Sequence, residues 1–442
     1  MKPADEFDVL IVGARCAGAS LAALLAGQGY AVGLVDQISS PRFTPSSHVI
    51  QADAIGFLER LGVLDEVRGT GAPLLRAVDV RLEELWLKAD YPLRPSDAGG
   101  GVCVRRQLFD PILLAAATAA GADVRMDTKV VGLIREAGRV VGARVTQGDQ
   151  ERHLRARLVV GADGRNSTVA QLCGARSYHV LPAERAYFWA YFASTTLPAE
   201  PTFVFHRWED KFVVAAPADS GLFMVGTSCE NAELAGFRED LEGSFMAQAL
   251  ACPPVAQALS GAHREGKILT ASRLRGYFRQ ACGPGWALVG DAGHFKDPAA
   301  GRGIGDAFLQ TEELSKVLAT ALREPTALLD RRLDEWARWR DSEFLDHYWT
   351  GADLGRAGPV GAMIPEIVRK LHEEGATGRF LDVLSHRCQP SELMTPPRVL
   401  AALGRLMLRR GGNRRAVLDE FGMLVGQQFK RQRLMRQPVF SG

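Results

Sequence analysis

The sequence predicts an α/β protein: a parallel sheet with helices on its faces, an antiparallel sheet inserted into it, and a mostly helical C-terminal region. Three observations carry this expectation. Residues 9–12 are a short apolar run that meets a glycine turn, then an alanine- and leucine-rich helical stretch over 17–25, then a second apolar run over 30–35. Strand, tight turn, helix and strand form the nucleus of a parallel sheet. Two further apolar runs, 158–160 at the end of a strand over 156–160, and 286–289, also end in glycine and aspartate clusters, and between them lies a segment whose aromatic and β-branched residues alternate.

The remaining elements follow in chain order. Gly27 and Gly29 stop the first helix. A helix over 55–64 ends near Gly62, residues 78–104 have β character with a turn at 99–101, and an alanine-rich helix over 109–120 stops at Gly121. Residues 124–125, 130–134 and 140–146 read as a hairpin region. Strands at 187–192, 202–205, 212–215 and 222–226 form the antiparallel sheet, interrupted by a helix over 231–250, and a long helix covers 307–322. Pro396 and Pro397 mark a break in the helical last hundred residues. The domain division is therefore 1–177, with an inserted β segment near 78–104, 178–274 as a substrate domain, 275–330 completing the first domain, and 331–442 as the helical C-terminal region.

Composition narrows the class of function. A length of 442 residues accommodates more than one packed unit. The 53 Lys and Arg against 51 Asp and Glu give a net charge of +2, without the basic excess that nucleic acid or an anionic membrane attracts. Seven scattered cysteines with no C-x-x-C pair argue against a zinc site or a disulfide framework, so no metal is expected and a reducing cytoplasm is the simplest location. Residues 1–7 show no cleavable leader, and no apolar run reaches the roughly 20 residues of a transmembrane helix.

The first cluster, Gly13-Ala14-Arg15-Cys16-Ala17-Gly18, lies where a strand becomes a helix. That is the place of the G-x-G-x-x-G dinucleotide fingerprint of a Rossmann-like domain, here with Arg15 at the middle glycine. The helix N-terminus offers free N–H groups to a pyrophosphate, and Asp36, at the tip of the second strand, suits the two hydroxyls of an adenosine ribose. The second cluster is Gly161-Ala162-Asp163-Gly164-Arg165-Asn166-Ser167. The third runs from Gly290-Asp291-Ala292-Gly293-His294 through Lys296-Asp297-Pro298 to Gly301-Arg302-Gly303-Ile304-Gly305. Each sets small residues and a carboxylate at the carboxyl end of a strand, where open α/β sheets bind ligands.

In this order and spacing the three clusters resemble the FAD-binding fingerprint, the Asp-Gly motif and the Gly-Asp motif of para-hydroxybenzoate-hydroxylase-like flavoprotein monooxygenases. The resemblance spans residues 9 to about 320 and implies an FAD/NAD(P)-binding Rossmann-like fold with FAD as cofactor. It implies that Asp291 binds the ribityl chain, that the helix start Gly301 to Gly305, with Gly303 and Ile304, approaches the pyrimidine side of the isoalloxazine, that Pro298 also lies at the cofactor, and that Asp163 belongs to a motif serving both FAD and NAD(P)H. Arg106 and neighbouring Arg105 are expected at the ribityl and phosphate region, and Arg42 at phosphate or ribose. Three departures mark a divergent branch: Arg15, Ala170 where the Asp-Gly motif often ends in arginine, and Lys296-Asp297-Pro298.

The resemblance implies hydroxylation of an aromatic or polycyclic small molecule through a flavin C4a-hydroperoxide, with O₂ and with NADH or NADPH as transient reductant, or with a partner reductase. The aromatic supply of the inserted sheet, Tyr187, Phe188, Trp189, Tyr191, Phe192, Phe203, Phe205, Trp208 and Phe212, fits such a substrate, and equally fits an interdomain core. His294, as a proton exchanger near neutral pH, Lys296, as a counter-charge to reduced flavin, and His48, in a loop over the cofactor, are the candidate catalytic residues. The alternatives are an FAD-dependent alkene or isoprenoid reductase, a flavin-dependent halogenase, which lacks its W-x-W-x-I-P signature here, and a non-catalytic FAD-binding assembly protein using Trp336, Trp339, Tyr348 and Trp349 as an interface. A monomer or a homodimer is compatible with the sequence.

Overall fold

The computed structural model describes residues 5–39, 46, 48–95, 99–197, 199–409 and 413–435. The apolar runs become the centre of the first sheet. β1 (Glu6–Val12) pairs in parallel with β2 (Val32–Val35) on one side and with the strand Gln150–Gly161 on the other, and Trp286–Leu288 pairs in parallel beyond that. These strands are buried on both faces, which is why they read as unbroken apolar runs. The registers align Val12 with Val35 and with Gly161, and Gly161 with Leu288. Chain segments nearly 300 positions apart therefore leave the sheet at one edge, and the three glycine clusters start side by side. The hairpin Lys129–Glu136 and Arg139–Gln147 is added antiparallel to Gln150–Gly161.

Helix α1 (Cys16–Gly27) covers one face of this sheet together with Arg106–Ala119 and Gly303–Ala321. Its stop is as the glycines indicate: Gly29 takes φ +86°, beyond the helix end. The expected helix over 231–250 is two helices, Leu234–Glu239 and Leu241–Leu250. Asp240 breaks them because its side chain accepts the Gly243 amide as an N-cap at 2.9 Å. The Pro396-Pro397 break is the first turn of the helix Pro396–Leu408, a place proline tolerates because its missing N–H would be unpaired there.

The second sheet has seven strands in the order His263–Ala271, Arg185–Ala193, Phe223–Glu230, Lys211–Pro217, Thr202–Trp208, Ala77–Leu82 and Leu85–Asp90. Its pairs are antiparallel except one, since Thr202–Trp208 runs parallel to Ala77–Leu82. The β segment near 78–104 thus supplies the last two strands of the inserted sheet. Period-two alternation sorts the aromatics: Tyr187, Trp189, Tyr191, Phe203, Phe205 and Phe212 share one apolar cluster, and Phe188, Phe192 and Trp208 share the other.

A three-stranded sheet, Ser177–Leu181, Gly276–Arg279 and His294–Phe295, links the two, and the 29-residue helix Thr326–Leu354 packs against it. Trp336 and Tyr348, offered above as interface residues, are 2% and 1% exposed and belong to the core. Among the described residues no helix is long and apolar enough to cross a membrane.

Candidate functional site

The turn after β1 is built for close approach. Gly13 has φ +105°, and a Cβ there would lie 2.5 Å from the carbonyl oxygen of Ala162; a Cβ on Gly18 would lie 1.7 Å from the carbonyl oxygen of Gly13. The first and third positions of the fingerprint therefore admit only glycine, and Gly18 acts beneath the cleft by letting α1 meet the turn. Arg15, in place of the middle glycine, is extended (φ −99°, ψ −162°) at the N-cap of α1 with no side-chain capping bond. The Asp36 carboxylate accepts the Ala14 amide at 2.7 Å and the Ile38 amide at 3.0 Å, tying the tip of β2 to the turn.

The second and third turns are fastened to each other by residues that sequence patterns did not single out. The Arg279 guanidinium donates to the carbonyls of Ala292 and Arg165, both at 2.9 Å, and the Tyr277 hydroxyl donates to the Asp291 carbonyl at 2.6 Å. Gln310 accepts the Gly290 amide at 3.0 Å from the helix Gly303–Ala321. Asp163 takes Ser167 Oγ at 2.5 Å and the Thr168 and Val169 amides, so it holds its own turn together. Burial raises the pKa of Asp163, while these hydrogen bonds oppose the rise.

Between the turns lies a cleft of about 520 Å³, within the range of small-molecule and cofactor sites. It is lined by Gly13, Arg15, Cys16, Ala17, Asp36, Arg106, Asp163, Gly290, Asp291, His294, Lys296, Pro298, Gly301, Gly303 and Ile304. Most of the residues expected at the cofactor are thus brought together. The Asp291 carboxylate faces Arg165 and Arg106, and burial pushes it up to about 6 while those two cations pull it down. Arg106 is fixed by a bidentate pair with Asp110 at 2.6 and 3.0 Å, and burial pushes the Cys16 thiol up to about 12, leaving it un-ionised at neutral pH.

Two expected residues, Arg105 and His48, fall elsewhere. Arg105 is turned to the inserted sheet, where Asp219, fully buried, holds it at 2.6 Å, so its charge is already matched away from the cleft. His48, also fully buried, bonds through Nδ1 to the Tyr191 hydroxyl and is not part of the cleft wall. Arg42 lies outside the described residues.

The candidate catalytic pair changes character on folding. His294 is 3% exposed and packs among the tilted rings of Phe278, Phe344 and Tyr348. Burial, with Lys296 and Arg340 nearby, lowers its pKa well below the ordinary value, so the expected proton exchange near neutral pH is corrected: the ring stays neutral. Lys296 lies 2.5 Å from the buried Asp306 carboxylate, so its ammonium already has a counter-charge. Burial works against the ionised form of Asp306, but Lys296, His386 and Arg302 hold its pKa well below the usual carboxylate range. Arg302 also pairs with Asp53 at 2.7 Å and donates to the Leu384 carbonyl at 3.0 Å. This network joins residues 53, 296, 302, 306 and 386, and no local motif could have announced it.

The residues fit FAD. Two glycines admit backbone approach where a Cβ is excluded, the N-terminus of α1 opens onto the cleft, and Asp291 presents a carboxylate that accepts no protein hydrogen bond among the described residues. These features would hold, in order, the pyrophosphate and the ribityl hydroxyls.

The comparisons agree with that geometry. The chain is 27% identical over 330 residues to the digeranylgeranylglycerophospholipid reductase of Methanocella arvoryzae, covering 72% of this chain and 79% of the relative. It is 29% identical over 397 residues to the rifampicin monooxygenase of Rhodococcus hoagii, covering 85% and 77%. Its fold is similar to that of the myxobacterial FAD-dependent chondrochloren halogenase, with a TM-score of 0.72 at 22% identity over 92% of this chain and 98% of that one. The sequence profile described as "FAD binding domain" matches residues 6–338, three quarters of the chain, and the protein belongs to that family of FAD-dependent oxidoreductases, with the para-hydroxybenzoate-hydroxylase-like fold.

Proposed function

We propose that this protein is an FAD-dependent reductase that saturates a carbon–carbon double bond in an extended, largely apolar substrate. The observation that carries this reading is where the free space lies. The aromatic face of the seven-stranded sheet is packed: Tyr187, Trp189, Phe203, Phe205 and Phe212 leave a cavity of only about 30 Å³ beside Pro298 and Gly301. A polycyclic substrate needs roughly ten times that volume. A second cavity, of about 380 Å³, lies instead between the strand Ser177–Leu181 and the C-terminal helices and shares Leu274 and Asp297 with the cleft. Val180, Leu181, Pro182, Leu274, Trp349 and Leu434 give it apolar walls, and Arg356, Lys430 and Arg431 stand among its lining residues.

FAD reduced by a nicotinamide nucleotide or a partner reductase would supply the electron pair and one hydrogen. The chain's part is to hold a double bond against the cleft, exclude water and deliver the remaining proton. The similarity to a reductase of isoprenoid lipids supports the same reading.

Hydroxylation is the second reading. Trp189, Pro298 and Gly301 line both the cleft and the small aromatic cavity, so a modest opening there would admit a single ring. The two readings separate in one experiment. FAD-loaded protein, reduced without oxygen and mixed with geranylgeraniol, should reoxidise with formation of a product heavier by two hydrogens. A product heavier by one oxygen, formed only in air and only from an aromatic substrate, would replace reduction with hydroxylation.

A further inference from the structure

The cleft and the 380 Å³ cavity adjoin at two side chains, Leu274 and Asp297, which line both. Leu274 is inert. Among the described residues Asp297 is therefore the one ionisable group that fronts both spaces.

Three elements fix its carboxyl. Its Oδ1 accepts the Tyr187 hydroxyl at 2.5 Å, from the strand Arg185–Ala193, and the Ala299 amide at 2.9 Å, from its own turn. The carboxyl rests on Gly355, at the end of the helix Thr326–Leu354: a Cβ there would fall 2.3 Å from Asp297 Cγ and 2.4 Å from Oδ2. Among the described residues the protein gives Oδ2 no hydrogen bond. The other polar groups nearby are engaged. Tyr348 donates to the His179 carbonyl at 2.5 Å, Lys296 is paired with Asp306, and Arg185 donates to the carbonyls of Asp210 and Arg356. Burial pushes the Asp297 carboxyl up to about 6; the Tyr187 hydrogen bond and Arg185 oppose this, and Glu184 adds to it. An acid in that range, close to working pH, is suited to proton transfer.

We infer that Asp297, aligned by Tyr187, is the proton donor to substrate at the mouth between the apolar cavity and the cofactor cleft. This rests on the reductase reading. Saturation breaks the π bond and forms two C–H bonds. The reduced flavin, when bound, would supply one hydrogen together with the electron pair and so be oxidised. The other is the Asp297 proton, and the carboxylate left behind is held by Tyr187 and the Ala299 amide until solvent reprotonates it through the second cavity.

The test uses FAD-loaded wild type, Asp297→Asn, Tyr187→Phe and Gly355→Ala. Infrared difference spectra without substrate should show a carboxyl band that disappears as pH rises through about 6, is absent in Asp297→Asn, and titrates at higher pH in Tyr187→Phe, which loses the donor that favours the carboxylate. In single turnovers of the reduced protein with geranylgeraniol, saturation should slow roughly 100-fold in Asp297→Asn, the scale of general acid catalysis. Gly355→Ala, which displaces the carboxyl, should slow saturation while retaining the band. Wild-type saturation rates and pH profile in Asp297→Asn, or no such band in wild type, would overturn the assignment alone. A wild type that saturates no alkene would overturn the reductase reading and this assignment with it.

Discussion

The Lys296 ammonium lies 2.5 Å from the Asp306 carboxylate, and both side chains are buried. Attraction between them offsets a desolvation cost that neither could bear alone. Asp306→Asn leaves Lys296 and Arg302 short of their shared anion and should destabilise the fold by about 3–5 kcal/mol, measured by urea unfolding. The sign of the pH effect follows from the depressed pKa of Asp306. Its contribution is present above the unfolded carboxylate value of about 4 and fades as pH falls through the folded one. A variant as stable as wild type would show that the network carries no folding energy.

The fingerprint turn makes a steric prediction. A methyl at Gly18 meets the Gly13 carbonyl at 1.7 Å, so Gly18→Ala must move α1 off the turn. It should cost about 1–3 kcal/mol, as overpacking does, and lower the flavin retained per chain on purification. Arg15→Gly needs no such movement and should leave the melting temperature within a few degrees, since no side-chain capping bond is lost.

Asp291→Asn should weaken FAD retention at neutral pH, because the cleft-facing carboxylate becomes a poorer acceptor for ribityl hydroxyls. In cofactor-free protein the same group has a pKa raised by burial to about 6. Its favourable contribution is complete below the unfolded value near 4 and is lost as pH rises through about 6. Cofactor-free wild type should therefore lose stability between about pH 4 and 6, and the asparagine variant should lose less over that interval. Equal slopes in the two proteins, read from melting curves, would count against a titrating Asp291.

His294→Phe replaces a neutral, ring-packed side chain with another ring. Turnover should keep its pH profile between about pH 5 and 8, the interval in which an unperturbed histidine changes charge. A limb near pH 6.5 that vanishes in the variant would restore His294 to the proton chemistry.

Much of the fold was legible. Residues 9–12 and 158–160 are apolar because they are central strands covered on both faces, and Gly13, Gly29 and Gly121 are glycines because the chain takes positive φ there. Within the strand Arg185–Ala193 the aromatics at 187, 189 and 191 and those at 188 and 192 separate onto opposite faces as their spacing implies. The split at Asp240 and the helix start at Pro396 were not read correctly, because a capping side chain and a proline act on either side of a boundary and periodicity averages over it.

For the site, the sequence by itself determined which backbone turns would line the cleft, because turn conformation and strand burial are local demands that each residue type answers in place. Tertiary structure alone decided what charges and spaces surround them. Arg105 was drawn to Asp219, 114 positions away, instead of to the cleft. His294 lost its titration to a wall of aromatic rings, and Asp297 gained a hydroxyl partner 110 positions upstream and a seat on Gly355. Burial and ion pairing depend on distances in space, to which neighbours along the chain give no key.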